Sequence, residues 1–118
     1  MVVTLYGIKN FGTVKKARAW LEERGIEYAF HDYKVAGVDR DCLANWCREF
    51  GWEHVLNRSG TSFRKLPDAD KTALDAERAR ALMLVQPSLI KRPILDLGGE
   101  RLLGFDAERY RTAFGTIA

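Results

Sequence analysis

The residues able to do chemistry gather in the stretch Lys9-Asn10-Phe11-Gly12-Thr13-Val14-Lys15-Lys16. A short β-branched run ends at Tyr6-Gly7, a polar loop follows, and a helical pattern opens at Thr13. Thr13 is the expected N-cap, its hydroxyl accepting from an amide of the first turn. Lys15 and Lys16 then fall in that turn, where the helix dipole disfavours cations by about 0.3–1 kcal/mol each. Backbone amides at the positive helix end, together with two lysines, would hold an anion or a thiolate. Two solvated lysines on an exposed face account for the same spacing, and the pattern alone leaves both readings open.

The other reactive side chains are few. Cys42 and Cys47 are the only cysteines and share one expected helix, roughly 7.5 Å apart along its axis and about 140° apart around it. That separation excludes a disulfide between them while the helix stays wound. Cys47 falls on the apolar stripe and is expected to be a buried, inert thiol. His31 is expected to be an ordinary strand histidine, and His54 has no partner pattern either. No Cys/His spacing suits a structural zinc site, so no metal is expected.

The elements that must position these groups follow from periodicity. Met1 to Tyr6 reads as a strand, Thr13 to about Arg24 as a helix with Val14, Ala17, Trp20 and Leu21 on one face, and Glu27 to Tyr33 as a second strand. Gly25 is the helix stop. Strand, helix, strand over some thirty residues is a right-handed βαβ unit with parallel strands. Asp39 to Phe50 is a helix with Leu43, Trp46, Cys47 and Phe50 inward. Trp52 to Leu56 is a helical turn, and Asn57 to Leu66 is a basic loop carrying Arg58, Arg64 and Lys65. Asp68 to Val85 reads as two helices, the second capped by Asp75, burying Ala79, Leu82 and Met83 and ended by Pro87. Pro93 heads an apolar run, Gly98-Gly99 is a hairpin signal returning through Arg101 to Gly104, and Asp106 caps a last helix with Tyr110 and Phe114 inward.

At 118 residues, 47% apolar and 30% charged, the chain is one soluble domain, 1–118, with a helical insertion over about 38–90. A net charge of +3 without a block of like charges argues against direct nucleic-acid binding and suits a small anion. No apolar run is long enough to span a membrane, and the start lacks the pattern of a signal peptide, so a cytoplasmic monomer is expected.

Several separated motifs carry a resemblance. Tyr6-Gly7-Ile8-Lys9-Asn10 and Thr13-Val14-Lys15-Lys16-Ala17, then Asn57-Arg58-Ser59-Gly60-Thr61-Ser62-Phe63-Arg64-Lys65-Leu66, Arg92-Pro93 and Leu103-Gly104-Phe105 resemble, in order, the arsenate-reductase-like ArsC/Spx/YffB family, closest to its YffB-like branch. The resemblance implies a thioredoxin-like α/β fold, with a small mixed four-stranded sheet (β-α-β, then β-β-α) and a helical insertion, in a bacterial cytoplasmic protein. It also implies a cis bond before Pro93, facing the nucleophile loop. Phe11 stands where the family keeps its nucleophilic cysteine, and Gly12 agrees better with the arsenate reductases. Of the three arginines that hold the oxyanion in those enzymes, Arg92 matches one, Asn57 or Arg58 falls near another, and the third falls on Gly104.

Phenylalanine has no ionisable or nucleophilic atom, so the thiolate step has no group at position 11. The resemblance therefore implies a protein of the glutathione-dependent thiol-reductase lineage with reductase and arsenate reductase activity lost and no catalytic residue. It would bind glutathione or a related small thiol or anion through Lys9, Asn10, Phe11, Gly12, Thr13, Arg58, Arg92 and Pro93, with no bound cofactor. The alternative is a Spx-like, non-enzymatic module that binds a protein partner and acts in transcription. The Cys-x-x-Cys redox switch of Spx is ruled out by Phe11 and Val14. A third reading, ranked last, has Cys42 recruited as a substitute nucleophile.

Overall fold

The computed structural model of the protein describes residues 3–115. In chain order it contains β1 (Thr4–Gly7), α1 (Gly12–Glu23), β2 (Ala29–Asp32), α2 (Tyr33–Ala36), α3 (Arg40–Phe50), α4 (Trp52–Val55), α5 (Thr61–Arg64), α6 (Asp68–Lys71) and α7 (Ala76–Val85). A 3-10 turn (Pro87–Leu89), β3 (Ile94–Asp96), β4 (Arg101–Leu103) and α8 (Ala107–Phe114) complete it. The chain divides into two compact units, Met1–Tyr33 with Arg92–Ala118, and Lys34–Lys91.

The first unit is built on a four-stranded sheet in the order β2-β1-β3-β4. β1 pairs in parallel with β2 (Leu5 opposite Phe30) and antiparallel with β3 (Leu5 opposite Leu95). β3 returns antiparallel through β4. A parallel β-α-β half joined to an antiparallel β-β-α half is the thioredoxin-like arrangement. Alternation along β1 buries Leu5 and Gly7, while Thr4 and Tyr6 are half-buried. Leu5, Ala17, Leu21, Leu95 and Tyr110 are fully buried in one cluster. Trp20 joins them edge-on to Tyr110 at 5.5 Å, a geometry that suits the ring quadrupoles.

Local chemistry sets most element ends. Gly25 leaves α1 at φ +66°, a conformation glycine adopts without a Cβ penalty. Gly98-Gly99 turns the β3-β4 hairpin, closed by the Leu97 amide donating to the Glu100 carbonyl at 2.8 Å. Asp106 caps α8, its Oδ1 accepting from the amides of Glu108 at 2.9 Å and Arg109 at 3.3 Å. Replacing it with alanine leaves both amides without that acceptor, so Asp106→Ala is expected to lower unfolding stability by about 1 kcal/mol in urea titrations.

In the second unit, α3 opens on Asp39, whose Oδ2 accepts from the Cys42 amide at 3.0 Å. It buries Leu43, Trp46 and Cys47. α7 opens on Asp75, whose Oδ1 accepts from the Arg78 amide at 2.8 Å, and buries Ala79 and Met83. Leu82, expected inside, is only half-buried and lines an open groove with Val85. Leu56 and Ile90 form an isolated antiparallel bridge.

Several expected boundaries move. Of the Met1 to Tyr6 strand, Met1 and Val2 lie outside the described residues, and β1 extends to Gly7. The second strand is only Ala29–Asp32, because Tyr33 starts the helical turn α2. Within the basic loop expected over Asn57 to Leu66, Thr61–Arg64 coils into α5 behind an extended Gly60. Four residues are too few to leave an amphipathic period in sequence.

Candidate functional site

The site residues gather at the ends of the parallel strands β1 and β2, where α1 begins. After Gly7 the chain makes a tight turn, with the Phe11 amide donating to the Ile8 carbonyl at 3.0 Å. The Lys9 amide donates to Asp32 Oδ2 at 3.3 Å. This tie follows from the strand register, which sets Gly7 opposite Asp32. Lys9 and Asn10 are exposed on the turn.

The N-cap of α1 is Phe11 and not Thr13, which lies inside the helix. Phe11 has extended backbone and offers no side-chain acceptor. Its carbonyl receives the first helical bond, from the Lys15 amide at 2.9 Å. The amides of Gly12, Thr13 and Val14 therefore lie ahead of the helical ladder. Thr13 Oγ1 instead donates to the Arg92 carbonyl at 3.4 Å. That partner lies 79 residues away in sequence. The first turn carries no acidic residue, and Lys15 and Lys16 are both exposed.

Arg92 and Pro93 approach this helix start from the other end of the chain, joined by a cis peptide bond. Pro93 is buried, and its carbonyl accepts from the Gly104 amide at 2.8 Å. Gly104 itself has φ +80°, which a side chain would resist. The Arg92 guanidinium carbon lies 3.9 Å from the centroid of the Phe11 ring, well inside cation–π range. Burial, opposed by the Tyr33 phenol, holds the Arg92 guanidinium below its usual value. Tyr33 is 1% exposed, and burial pushes its phenol up. Tyr6 lies across the strand pair from His31, ring centroids 5.0 Å apart.

Lys9, Asn10, Phe11, Gly12, Thr13, Arg92 and Pro93 thus belong to one unit. Arg58 belongs to the other, where its guanidinium lies 5.8 Å from the Trp52 ring centroid. Asp32 and Tyr33 were not among the residues expected from sequence. The signal for Asp32 was its place at the end of the strand parallel to β1. Tyr33 read as the close of a strand and gave no such signal. Cys42 and Cys47 both lie on α3 and are not joined in a disulfide, Cys47 being buried and its pKa pushed up by that burial.

At one end of a thioredoxin-like sheet, then, a helix N-terminus, a cis-proline and an arginine meet around a residue that cannot ionise. The chain belongs to the ArsC family, whose sequence profile matches residues 6–113. It is 54% identical to the solved YFFB protein, over 97% of this chain and all of that one, with a TM-score of 0.94. It is also 42% identical to an uncharacterized protein of Haemophilus influenzae, over 96% of this chain and 99% of the relative. The global transcriptional regulator Spx of Streptococcus mutans is 29% identical over 93% of this chain and 81% of its own.

Proposed function

We propose that this ArsC-family chain is a non-catalytic member of the glutathione-dependent thiol-reductase lineage, binding glutathione or a related small thiol or anion. Phe11 takes the position of the family's cysteine. The observation that carries this reading is the Arg92 guanidinium set against the Phe11 ring at the start of α1, 3.9 Å from its centroid. The cationic and backbone groups of an anion site are present around position 11, while the atom that would attack a disulfide or arsenate is a hydrocarbon. Arg92 would pair a ligand carboxylate by charge-assisted hydrogen bonds, helped by the positive end of α1. Cys42 and Cys47 both belong to α3 in the other unit, Cys47 buried and Cys42 half-buried.

An NMR titration with reduced glutathione tests the reading. The expected result is saturable shifts confined to Lys9–Thr13 and Arg92–Ile94, with Arg92→Gln weakening binding roughly tenfold, as loss of a charged hydrogen bond does. Absence of shifts at millimolar ligand would reject a glutathione site. The second reading, a Spx-like module that contacts a protein partner, rests on the likeness to Spx and would then take precedence.

A further inference from the structure

The second unit carries a cationic cleft that the site at the start of α1 does not use. It has a volume of about 390 Å³ and is lined by Ala44, Cys47 and Arg48 of α3, Trp52 of α4, and Ala76 and Arg80 of α7. All six residues belong to the Lys34–Lys91 unit. Their spacing explains how the cleft arises. Ala44 and Arg48 on α3, and Ala76 and Arg80 on α7, are each four residues apart and so share a helix face. On both helices an alanine leaves room and an arginine lines the cleft one turn further on. Cys47 is buried and serves as a small apolar floor, while the half-buried Trp52 indole forms a wall.

Arg80 is the informative residue. It is half-buried and, among the described residues, its guanidinium makes no hydrogen bond or ion pair. A charge drawn out of water without a pairing anion is costly. An arginine can bury its stem and keep its head in water, but Arg80 does not stand clear of the protein. Burial pushes the Cys47 thiol up, and the Arg80 guanidinium opposes that shift. Among the described residues, no carboxylate lines the cleft. Glu49, Glu53 and Glu77 are exposed, and Asp75 is engaged as the cap of α7 by the Arg78 amide at 2.8 Å. Arg48 is exposed and donates to Asn45 Oδ1 at 2.6 Å.

We propose that this cleft is a second binding site, taking an aromatic carboxylate whose ring lies against Trp52 and the two alanines and whose carboxylate pairs with Arg80. The edge of the guanidinium offers parallel N–H groups that match the two oxygens of a carboxylate. A ring set against an indole gains stabilisation beyond the area it buries. Arg48 adds attraction at the rim and little more, because an exposed charge is screened. The volume falls at the lower end of small-molecule sites, about 300–1,000 Å³, and suits one or two fused rings. This site is independent of the glutathione reading above.

An NMR titration with 2-naphthoate tests this, with naphthalene-2-carboxamide as its uncharged counterpart. The expected result is saturable shifts of the Ala44 and Ala76 amides and of the Trp52 Nε1–H. The carboxamide should bind roughly tenfold more weakly, as loss of a charged hydrogen bond implies. Arg80→Gln should weaken 2-naphthoate by a similar factor and leave the carboxamide unchanged. Arg48→Gln should weaken the acid by no more than about threefold, as an exposed pair would. Ala76→Leu fills the cleft while keeping a strong helix former, and should abolish binding of both compounds.

Equal binding of acid and carboxamide would overturn the proposal, because the carboxylate would then have no cation to meet. That comparison uses the unmodified protein, so it decides the matter even where the amide spectrum of Arg80→Gln shows a failure to fold. A folded Arg80→Gln with full affinity for 2-naphthoate would overturn it as well, since the carboxylate would pair elsewhere. Octanoate binding as tightly as 2-naphthoate would remove the aromatic preference and with it the assignment to Trp52. Shifts confined to Lys9–Thr13 and Arg92–Ile94 would place the acid at the start of α1 and leave the cleft without a ligand. No saturable shift at millimolar 2-naphthoate would reject the site outright.

Discussion

Phe11→Cys is expected to give the protein an ionised thiol at neutral pH. The sulfur would replace the ring at the N-cap of a twelve-residue helix, beside the amides of Gly12, Thr13 and Val14. No carboxylate stands in the first turn to oppose it, and the Arg92 guanidinium already lies against position 11. Each of these favours thiolate over thiol. The titration midpoint is expected between about 3.5 and 7.5, the range of cysteines at helix N-termini and beside cations, against about 8.5 for a free cysteine. Ultraviolet absorbance of the thiolate in a Cys42→Ser background would measure it, since burial keeps the Cys47 thiol protonated to higher pH. The same variant should attack a small disulfide, forming a mixed disulfide and releasing one thiolate. Reduced glutathione should then regenerate the protein thiol. Adding Arg92→Gln should move the midpoint back up. A midpoint near 8.5 in Phe11→Cys would mean that the helix start no longer stabilises an anion, and the ligand-binding reading would lose its electrostatic basis.

Legibility followed the range of the interactions involved. The caps Asp75 and Asp106 each bond an amide two or three residues away, so their signals are complete within a short window, whereas Asp39, expected to open the helix, instead caps it. The Gly98-Gly99 hairpin and the α1 face of Val14, Ala17, Trp20 and Leu21 are local in the same sense. Thr13 misled because α1 already begins at Gly12, behind Phe11, and the hydroxyl's acceptor, the Arg92 carbonyl, is remote in sequence. A hydroxyl offered a distant carbonyl gives no sign of it in the residues around it. Tyr33 closed an aromatic-rich strand pattern, yet its burial beside Arg92 comes from the chain returning after residue 91. The site divides along the same line. The basic, glycine-containing loop before α1 could be read directly, and Arg92-Pro93 could be placed only through resemblance. Their meeting at the Phe11 ring is a tertiary fact that no periodicity encodes.

Gly7→Ala is expected to be the most damaging small change to the unit that carries the site. Gly7 closes β1 and its backbone has ordinary φ, so conformation alone would admit alanine. Space does not. A Cβ on Gly7 would stand 2.7 Å from Val14 Cγ2 and 3.2 Å from Val14 Cγ1. Val14 is fully buried, and a β-branched side chain has essentially one rotamer in a helix, so it cannot turn aside. The first turn of α1 must give instead. Overpacking of this kind costs about 1–3 kcal/mol, which a urea midpoint would register. Val14→Ala removes both γ-carbons, so adding Gly7→Ala in that background should cost little, with a coupling of about 1 kcal/mol or more across the double-mutant cycle. Equal costs in the two backgrounds would show that the strand end relaxes without involving α1. Because Val14 lies three residues beyond Phe11, the displaced turn should also pull the ring off Arg92. Gly7→Ala is therefore expected to weaken the ring-current shift on the Arg92 Nε–H, and Gly7→Ala/Val14→Ala to restore it. That restoration would tie the geometry of the site to a single close approach between β1 and α1.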